Sequence, residues 1–170
     1  MKNILITGGG GYIGTNLTKE LLKEGYTVTV LDTFWFGNYL QKHKKLKILK
    51  KDIRNITKKD LNKIDCIMHL ASIANDPAAE LDTKLTWDIN VLATYKLINL
   101  AVIKKVKKFI FASSGSVYGI KKEKKVTEDL DLVPISIYNK TKMIAERIIQ
   151  SYKNEIKYHI IRPATVCGYS

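Results

Sequence analysis

Short apolar runs recur along the chain, at residues 2–7, 27–31, 46–49, 66–70, 109–112 and 158–161. Apolar runs of this length, bounded by glycine or polar residues, predict buried strands. Between them, apolar residues recur with helical spacing over residues 13–24, 85–103 and 136–153, and more weakly over 57–61. Strands that alternate with helices predict a parallel sheet with helices on both faces. Since no internal repeat or Pro/Gly-rich linker interrupts the pattern, we expect residues 1–170 to form one three-layer α/β domain.

The loop after the first predicted strand is rich in glycine, because residues 7–14 read TGGGGYIG. This loop leaves a strand and opens a helix, so its backbone amides and the positive helix end can receive a pyrophosphate. Gly8 permits the tight turn, Gly11 lets the backbone approach the phosphates, and Gly14 allows close packing of the helix. The alternative is a plain glycine turn. Cofactor contacts from this loop are assigned to Gly8, Gly11, Tyr12 and Ile13.

An acidic residue, Asp32, ends the second predicted strand, 18 residues after Gly14. A carboxylate there accepts hydrogen bonds from both hydroxyls of the adenosine ribose and repels a 2′-phosphate. Residues 33–36 read TFWF and offer no arginine for that phosphate, so the pattern favours NAD over NADP. The alternative for Asp32 is a turn aspartate without a ligand. The aromatics at 34–36 could line an adenosine pocket, and the alternative for them is that they are partly buried loop residues. A glycine loop followed by such an acid indicates a doubly wound sheet of strand order 3-2-1-4-5-6.

Tyr138 and Lys142 lie four residues apart in the last predicted helix and therefore project from one face. An ammonium close to a phenol favours phenolate, and an oxidised nicotinamide adds positive charge, so the phenol becomes a base nearer neutrality. By itself this spacing also fits two exposed helical residues. The serines at 113–116 favour the catalytic interpretation, because they follow the fifth strand, at whose carboxyl end doubly wound sheets bind ligands.

Together these motifs resemble the extended short-chain dehydrogenase/reductase family, in its NAD-dependent sugar epimerase/dehydratase branch. The resemblance covers almost the whole chain. It is carried by TGGGGYIG at 7–14, DIR at 52–54, HLAS at 69–72, Asn90, SSGSVYG at 113–119, YNKTK at 138–142 and RP at 162–163. It implies the doubly wound Rossmann fold and further NAD contacts from Asp52, Ile53, Leu70, Ala71 and Asn90. An aspartate that leaves a strand, like Asp52, is as often a turn residue, and His69 is expected to be a packed histidine rather than a base.

The resemblance also implies the chemistry. Tyr138 would be the catalytic acid/base, Lys142 would lower its pKa and hold the nicotinamide ribose, and Ser114 would bind the reacting hydroxyl of a UDP-, dTDP- or GDP-linked sugar. Dehydratases of this branch carry an Asp-Glu pair at the positions of Gly115 and Ser116 here. The sequence therefore favours epimerase (isomerase) or simple dehydrogenase chemistry over dehydration.

Two long predicted helices carry more apolar residues than one buried face requires, which suggests a helical interface. The family resemblance implies that this interface is the four-helix bundle of a homodimer. The residues are Ile89, Leu92, Tyr95 and Leu97 on the first helix and Met143, Ile144, Ile148 and Ile149 on the second.

The chain is strongly basic, with 29 lysine and arginine residues against 16 acidic ones and a net charge of +13. Nucleic acid is one class of partner for such a chain. However, only three of these residues are arginine and the lysines cluster without interleaved aromatics, so we expect a solvated rim and no nucleic acid. Cys66 and Cys167 are far apart and the three histidines are scattered, which argues against a disulfide framework and a metal site. We expect a cytoplasmic protein without a membrane span or signal peptide.

Length bears on the substrate site. Family members run to about twice the size of a single small domain. The sequence therefore predicts a cofactor half without most of the substrate half, a sixth strand with an open edge, and weak or absent turnover. The alternative function is a non-catalytic NAD-binding or interaction module, or one half of a split enzyme.

Overall fold

A computed structural model of the chain describes residues 2–168. Six strands form one parallel sheet of order β3-β2-β1-β4-β5-β6, as the sequence predicts. The strands are β1 (Asn3–Thr7), β2 (Thr27–Asp32), β3 (Leu46–Lys50), β4 (Cys66–His69), β5 (Lys108–Ala112) and β6 (Lys157–Ile161). Each lies within one residue of its predicted bounds.

Helices connect most of these strands. They are α1 (Tyr12–Lys23), α2 (Asp76–Leu81), α3 (Thr83–Trp87), α4 (Ala93–Ile103) and α5 (Ile137–Ser151), with a π-helical turn at Asp88–Leu92 and 3-10 turns at Ile53–Asn55, Lys58–Leu61 and Gly115–Tyr118. The weak helix predicted over 57–61 is thus a 3-10 turn.

The helix predicted over residues 85–103 is confirmed, since α3, the π turn and α4 follow one another without a break from Thr83 to Ile103. Helical structure begins at Asp76, where Asn75 accepts a hydrogen bond from the amide of Ala78, and it restarts after Asp82, which caps α3 in the same way. The π turn then inserts an extra residue into the helical ladder. The two caps, Asn75 and Asp82, lie before residue 85, so the feature that apolar spacing did not predict within 85–103 is the π turn.

The sheet is buried between two sets of helices. On one face α1 packs through Leu17, Leu21 and Leu22 against β1 and β2. On the other face α4 and α5 cover β1, β4 and β5, with Phe109 and Phe111 at the centre of the larger core. Ile89, Leu97 and Ile149 belong to this core, so they are not the surplus apolar residues that the sequence suggested.

The chain reverses its winding direction between β1 and β4, which lie side by side. Connections from β1 run through α1 toward β2, whereas those from β4 run through α4 and α5 toward β5 and β6. Loops at the carboxyl ends of β1 and β4 therefore diverge and leave a crevice, the usual ligand position in a doubly wound sheet.

The last strand, β6, has an open side. Within residues 2–168 it pairs with β5 alone, and Ile161 at its end is 54% exposed. An unpaired apolar edge strand is a template for another chain.

Candidate active site

The glycine loop joins β1 to α1 and lies against the end of β4. Gly8 has a φ of +74°, and a β-carbon added there would lie 2.5 Å from the amide nitrogen of Ala71. A β-carbon on Gly14 would lie 2.4 Å from the carbonyl oxygen of Gly8, so the first turn of α1 packs directly on the loop backbone. Both positions require glycine. The loop thus brings three predicted cofactor residues, Gly8, Leu70 and Ala71, to one place.

The N-terminus of α1 presents free backbone donors. Gly11 is its N-cap, no side chain caps it, and its first turn holds no acidic residue. A helix start of this kind attracts anions through its unpaired amides and its dipole. Tyr12 and Ile13 are 44% and 43% exposed in this turn, and the Tyr12 hydroxyl donates to the carbonyl of Gly168 at 2.5 Å.

Asp32 stands beside the glycine loop at the end of β2. Its Oδ2 accepts from the amide of Gly10 at 2.9 Å and its Oδ1 from the amide of Phe34 at 2.7 Å. These bonds fix the carboxylate at the mouth of the loop. Phe34 packs against the apolar cluster between α1 and the sheet. Trp35 and Phe36, by contrast, are 57% and 85% exposed, so the three aromatics are not all partly buried.

Asp52 and Ile53 follow β3. The Asp52 carboxylate caps the 3-10 turn and pairs with Arg54 at 2.8 Å, and this hydrogen bonding holds the pKa of Asp52 below its usual range. Ile53 is 5% exposed and belongs to the larger core. The described contacts are therefore those of a turn residue and a core residue, and their contact with NAD stays a prediction.

Asn90 lies in the π turn and is 2% exposed. Its side-chain oxygen accepts from the amide of Ile73 at 2.8 Å, and its nitrogen donates to the Ile73 carbonyl and to the Thr141 hydroxyl, both at 3.1 Å. Asn90 thus ties the loop after β4 to α5. These contacts position the edge of the crevice, and a direct contact of Asn90 with NAD stays a prediction.

His69 is fully buried at the end of β4, as expected for a packed histidine. Its Nδ1 lies 2.6 Å from the Thr7 hydroxyl, and its Nε2 lies 2.8 Å from the Thr94 hydroxyl. Because the Thr94 hydroxyl donates to the carbonyl of Asn90, it must accept from Nε2, and the Thr7 hydroxyl then donates to Nδ1. Burial, with the nearby charge of Lys142, lowers the pKa of His69 to about 3, so the ring is neutral.

Ser114, Tyr138 and Lys142 meet at the carboxyl end of β5. The hydroxyl of Ser114 is hydrogen-bonded to Tyr138 in the first turn of α5 and lies 2.7 Å from the Ser116 hydroxyl. One turn further along α5, the buried Lys142 ammonium donates to the carbonyl of Ala112 at 2.8 Å. The three predicted catalytic residues are therefore neighbours.

The electrostatics of Tyr138 differ from the expectation. Burial raises the pKa of Tyr138 above its ordinary value, the Ser114 hydrogen bond opposes that shift, and Asp76 adds to it. The Lys142 nitrogen lies 5.8 Å from the centre of the Tyr138 ring and bonds to Ala112 instead of to the phenol. In the chain without cofactor, burial therefore outweighs the other influences on Tyr138, and the lowering of its pKa by Lys142 stays a prediction. Burial lowers the pKa of Lys142 to about 8, while Glu146 opposes that shift.

Sequence reasoning missed a buried polar network behind these residues. Glu146 pairs with Arg162 at 2.7 Å and also accepts from the Ser113 hydroxyl, and Arg162 donates to the Tyr118 hydroxyl at 2.6 Å. The spacing of Glu146, four residues beyond Lys142, was the available signal.

An open cavity of about 1030 Å³ adjoins Ser114, one of the three predicted catalytic residues. Its lining includes Ser114, Gly115, Ser116, Tyr118, Arg162 and Pro163. A smaller cavity of about 380 Å³ lies between α1 and residues 39–43 and includes none of the predicted site residues. The larger cavity offers space for a ligand directly beside Ser114.

Residues 2–168 hold no group of three or more His, Cys, Asp or Glu side chains arranged to bind a metal ion. None of the helices in this part of the chain has both the length and the apolar character needed to cross a membrane.

A doubly wound sheet, a glycine loop at a bare helix start and an adjoining Ser-Tyr-Lys trio define a dinucleotide-binding enzyme class. Residues 4–170 match the model of the NAD dependent epimerase/dehydratase family, and the chain belongs to that family. Because the family is NAD dependent, the expected cofactor, NAD, is confirmed.

Relatives include several sugar-nucleotide epimerases. UDP-glucose 4-epimerase of Lactobacillus helveticus is 36% identical over 173 residues, covering 98% of this chain and 52% of that protein. UDP-N-acetylglucosamine 4-epimerase from Methanobrevibacter ruminantium M1, in complex with UDP-N-acetylmuramic acid, superposes with a TM-score of 0.89 at 29% identity, covering 95% of this chain and 54% of that one. UDP-glucuronic acid 4-epimerase from Bacillus cereus, in complex with NAD, gives 0.87 at 34%, covering 98% and 58%. The chain thus spans about half the length of these relatives.

Proposed function

We propose that the protein acts in the NAD-dependent 4-epimerisation of a UDP-linked sugar. The observation that carries this proposal is that Ser114, Tyr138 and Lys142 meet at the carboxyl ends of the strands, where the glycine loop also lies. The named activities of the three relatives support the reaction, and they favour UDP over the dTDP- and GDP-linked alternatives. Gly115 and Ser116, in place of an acid pair, are consistent with epimerisation rather than dehydration.

The residues present fit NAD. The uncapped start of α1 at Gly11 suits a pyrophosphate, and a β-carbon on Gly11 would meet only the Gly8 oxygen, at 3.4 Å, which leaves the approach open. Asp32 suits the adenosine ribose, and Lys142 suits the nicotinamide ribose. When bound, NAD accepts a hydride from the sugar carbon and returns it.

In this proposal Tyr138 moves the proton of the reacting sugar hydroxyl to and from its own phenol oxygen. Ser114 orients that hydroxyl through a hydrogen bond. Because burial raises the pKa of Tyr138, the phenol needs added positive charge before it can act as a base. We propose that cofactor binding brings that charge, while Lys142 contributes the nearest fixed cation.

We also propose a homodimer formed through the exposed faces of α4 and α5. Leu92 and Tyr95 are 59% and 50% exposed, and Trp87 nearby is 38% exposed. Such an apolar patch on the helical segment 83–103 suits an interface between two copies, and on α5 the residues Met143, Ile144 and Ile148 are half-buried. A cytoplasmic location remains part of the same proposal.

The test is a titration of the purified protein with NAD, followed by an assay that interconverts UDP-glucose and UDP-galactose. Tyr138→Phe is expected to keep NAD affinity within about twofold and to remove whatever turnover the wild type shows, because the phenol acts only on the reacting proton. Tyr39→Phe, at a residue that is 74% exposed, is the matched control. NAD binding without turnover would favour the non-catalytic module, and full turnover in Tyr138→Phe would contradict the assignment.

A further inference from the structure

A buried carboxylate stands directly behind the proposed catalytic residues. Tyr138, Lys142 and Glu146 follow one another at intervals of four on α5, so they form one stripe on the helix. Glu146 is 0% exposed. A carboxylate removed from water in this way is retained only where charged and hydrogen-bonding partners compensate its lost hydration.

Glu146 has such partners on two other elements. Arg162, just beyond β6, binds it through both nitrogens of one guanidinium edge, with Nη2 at 2.7 Å from Oε2 and Nε at 3.0 and 3.2 Å from the two oxygens. The Ser113 hydroxyl, just beyond β5, donates to Oε1. One carboxylate therefore connects α5 to the ends of β5 and β6.

The segment held by Glu146 is the one that touches the catalytic residues. Ser113 lies between Ala112, whose carbonyl accepts from the Lys142 ammonium at 2.8 Å, and Ser114, whose hydroxyl bonds to Tyr138. A displacement of Ser113 would move both neighbours. Glu146 thus controls, from behind, the position of two groups that face the crevice.

Glu146 also bears on the charge of Lys142. Four titratable or charged groups face this ammonium or lie behind its partner: neutral His69 from β4, Tyr138 and Glu146 from α5, and Arg162 behind Glu146. Burial lowers the pKa of Lys142, and Glu146 opposes that effect. Without the Glu146 carboxylate, burial and repulsion from the Arg162 cation would both lower the pKa of Lys142.

We propose that Glu146 is a positioning residue of this site, which holds residues 112–114 against Lys142 and Tyr138 and keeps Lys142 cationic. This inference rests on the proposed function for its meaning, because Lys142 serves the cofactor and the phenol there. Its first test does not depend on that function.

The test follows the protonation of Lys142 directly, as the pH dependence of its ε-methylene NMR signal, assigned by its loss in Lys142→Arg. The wild-type midpoint is expected at about 8. In Glu146→Gln, which keeps the shape and removes the charge, the midpoint is expected to fall by about one unit or more, since a neighbouring opposite charge shifts a pKa by about 1–3 units. Glu155→Gln, at an exposed position just after α5, is the matched control and should keep the wild-type midpoint.

Cofactor affinity gives a second readout. A midpoint lowered by about one unit leaves roughly a fifth as much protonated Lys142 at pH 8, so NAD affinity of Glu146→Gln should fall about fivefold there and stay nearly unchanged at pH 6. A merely structural role predicts an equal loss of affinity at both pH values and an unmoved NMR midpoint, and that result would overturn the proposal.

A second variant decides the matter if Glu146→Gln does not fold. Arg162→Gln keeps the negative charge of Glu146 and removes the cation that neutralises it. The midpoint of Lys142 is therefore expected to rise above that of the wild type. An unmoved or lowered midpoint in Arg162→Gln would refute the inference. Absence of sugar turnover in the wild type would instead count against the proposed function and leave these NMR outcomes standing.

Discussion

Mild acid should destabilise this protein through one buried histidine. His69 lies in the core between the Thr7 and Thr94 hydroxyls, and its pKa is lowered to about 3 from an ordinary 6.5, mainly by burial. The unfolded chain accepts a proton on this ring below pH 6.5, whereas the folded chain does not until about pH 3. Stability that is fully present above pH 6.5 is therefore lost as the pH falls from 6.5 toward 3.

The magnitude follows from the width of that window. Each pH unit below 6.5 costs about 1.4 kcal/mol, so acidification from pH 7 to pH 5 should lower the free energy of unfolding by about 2 kcal/mol. Carboxylates do not obscure this interval, because the lowered pKa values of groups such as Asp52 and Asp60 matter only near and below about pH 4.

Urea unfolding at pH 7 and pH 5, followed by circular dichroism, measures the effect. His69→Gln should be less stable than the wild type at both pH values. Its free energy of unfolding should also differ by no more than about 0.5 kcal/mol between pH 7 and pH 5, instead of by about 2 kcal/mol. His159→Gln, at an exposed position, is the control and should keep it. An unchanged pH dependence in His69→Gln, or an NMR titration of the wild-type His69 ring near pH 6, would refute the reasoning.

Further predictions concern the cofactor loop and the oligomer. NAD should bind at least about tenfold more tightly than NADP because of Asp32, and Asp32→Ala should weaken NAD binding and narrow that ratio in calorimetric titrations; equal affinities in the wild type would contradict the assignment. Gly14→Ala should lower the thermal unfolding temperature and abolish NAD binding, because its β-carbon would lie 2.4 Å from the Gly8 oxygen. Gly25→Ala is the control: its β-carbon would meet no atom nearer than 3.8 Å, but its positive φ disfavours alanine, so it should lower stability without affecting NAD binding. Light scattering should show a dimer at tens of micromolar protein, and Tyr95→Glu should yield monomers; a wild-type monomer would reject the α4–α5 interface.

The strands and the cofactor loop could be predicted because local sequence decides them. Each strand is an apolar run between polar residues, and Gly8 and Gly14 are positions where any side chain would collide with backbone. The strand order followed from the glycine loop and Asp32, which are typical of one topology.

The helices beyond β4 were less predictable, for two different reasons. The start of α2 carried a readable signal, since Asn75 is a good N-cap and Pro77 suits a first helical turn. The π turn around Asn90 had none, because it depends on bonds to Ile73 and Thr141, residues far away in sequence. Tertiary partners, rather than local spacing, select it.

The proximity of Ser114, Tyr138 and Lys142 could be predicted from the sequence, but their electrostatics could not. Spacing on α5 was enough to align Tyr138 with Lys142. The direction of each pKa shift depends on burial and on the Ala112 carbonyl that captures the ammonium. Neither can be read from a sequence before the packing of β5 against α5 is known.

The central place of β1 also has a consequence for synthesis. β1, β2 and β3 all lie within the first 50 residues, but the second neighbour of β1 begins at Cys66, and the strand after that begins at Lys108. A nascent chain can therefore form a three-stranded unit whose β1 edge, Asn3–Thr7, stays bare until β4 leaves the ribosome. We expect chains stalled shortly after β3 to aggregate or to bind chaperones, and chains stalled well beyond β5 to resist protease, so the strand order sets a vulnerable interval in translation.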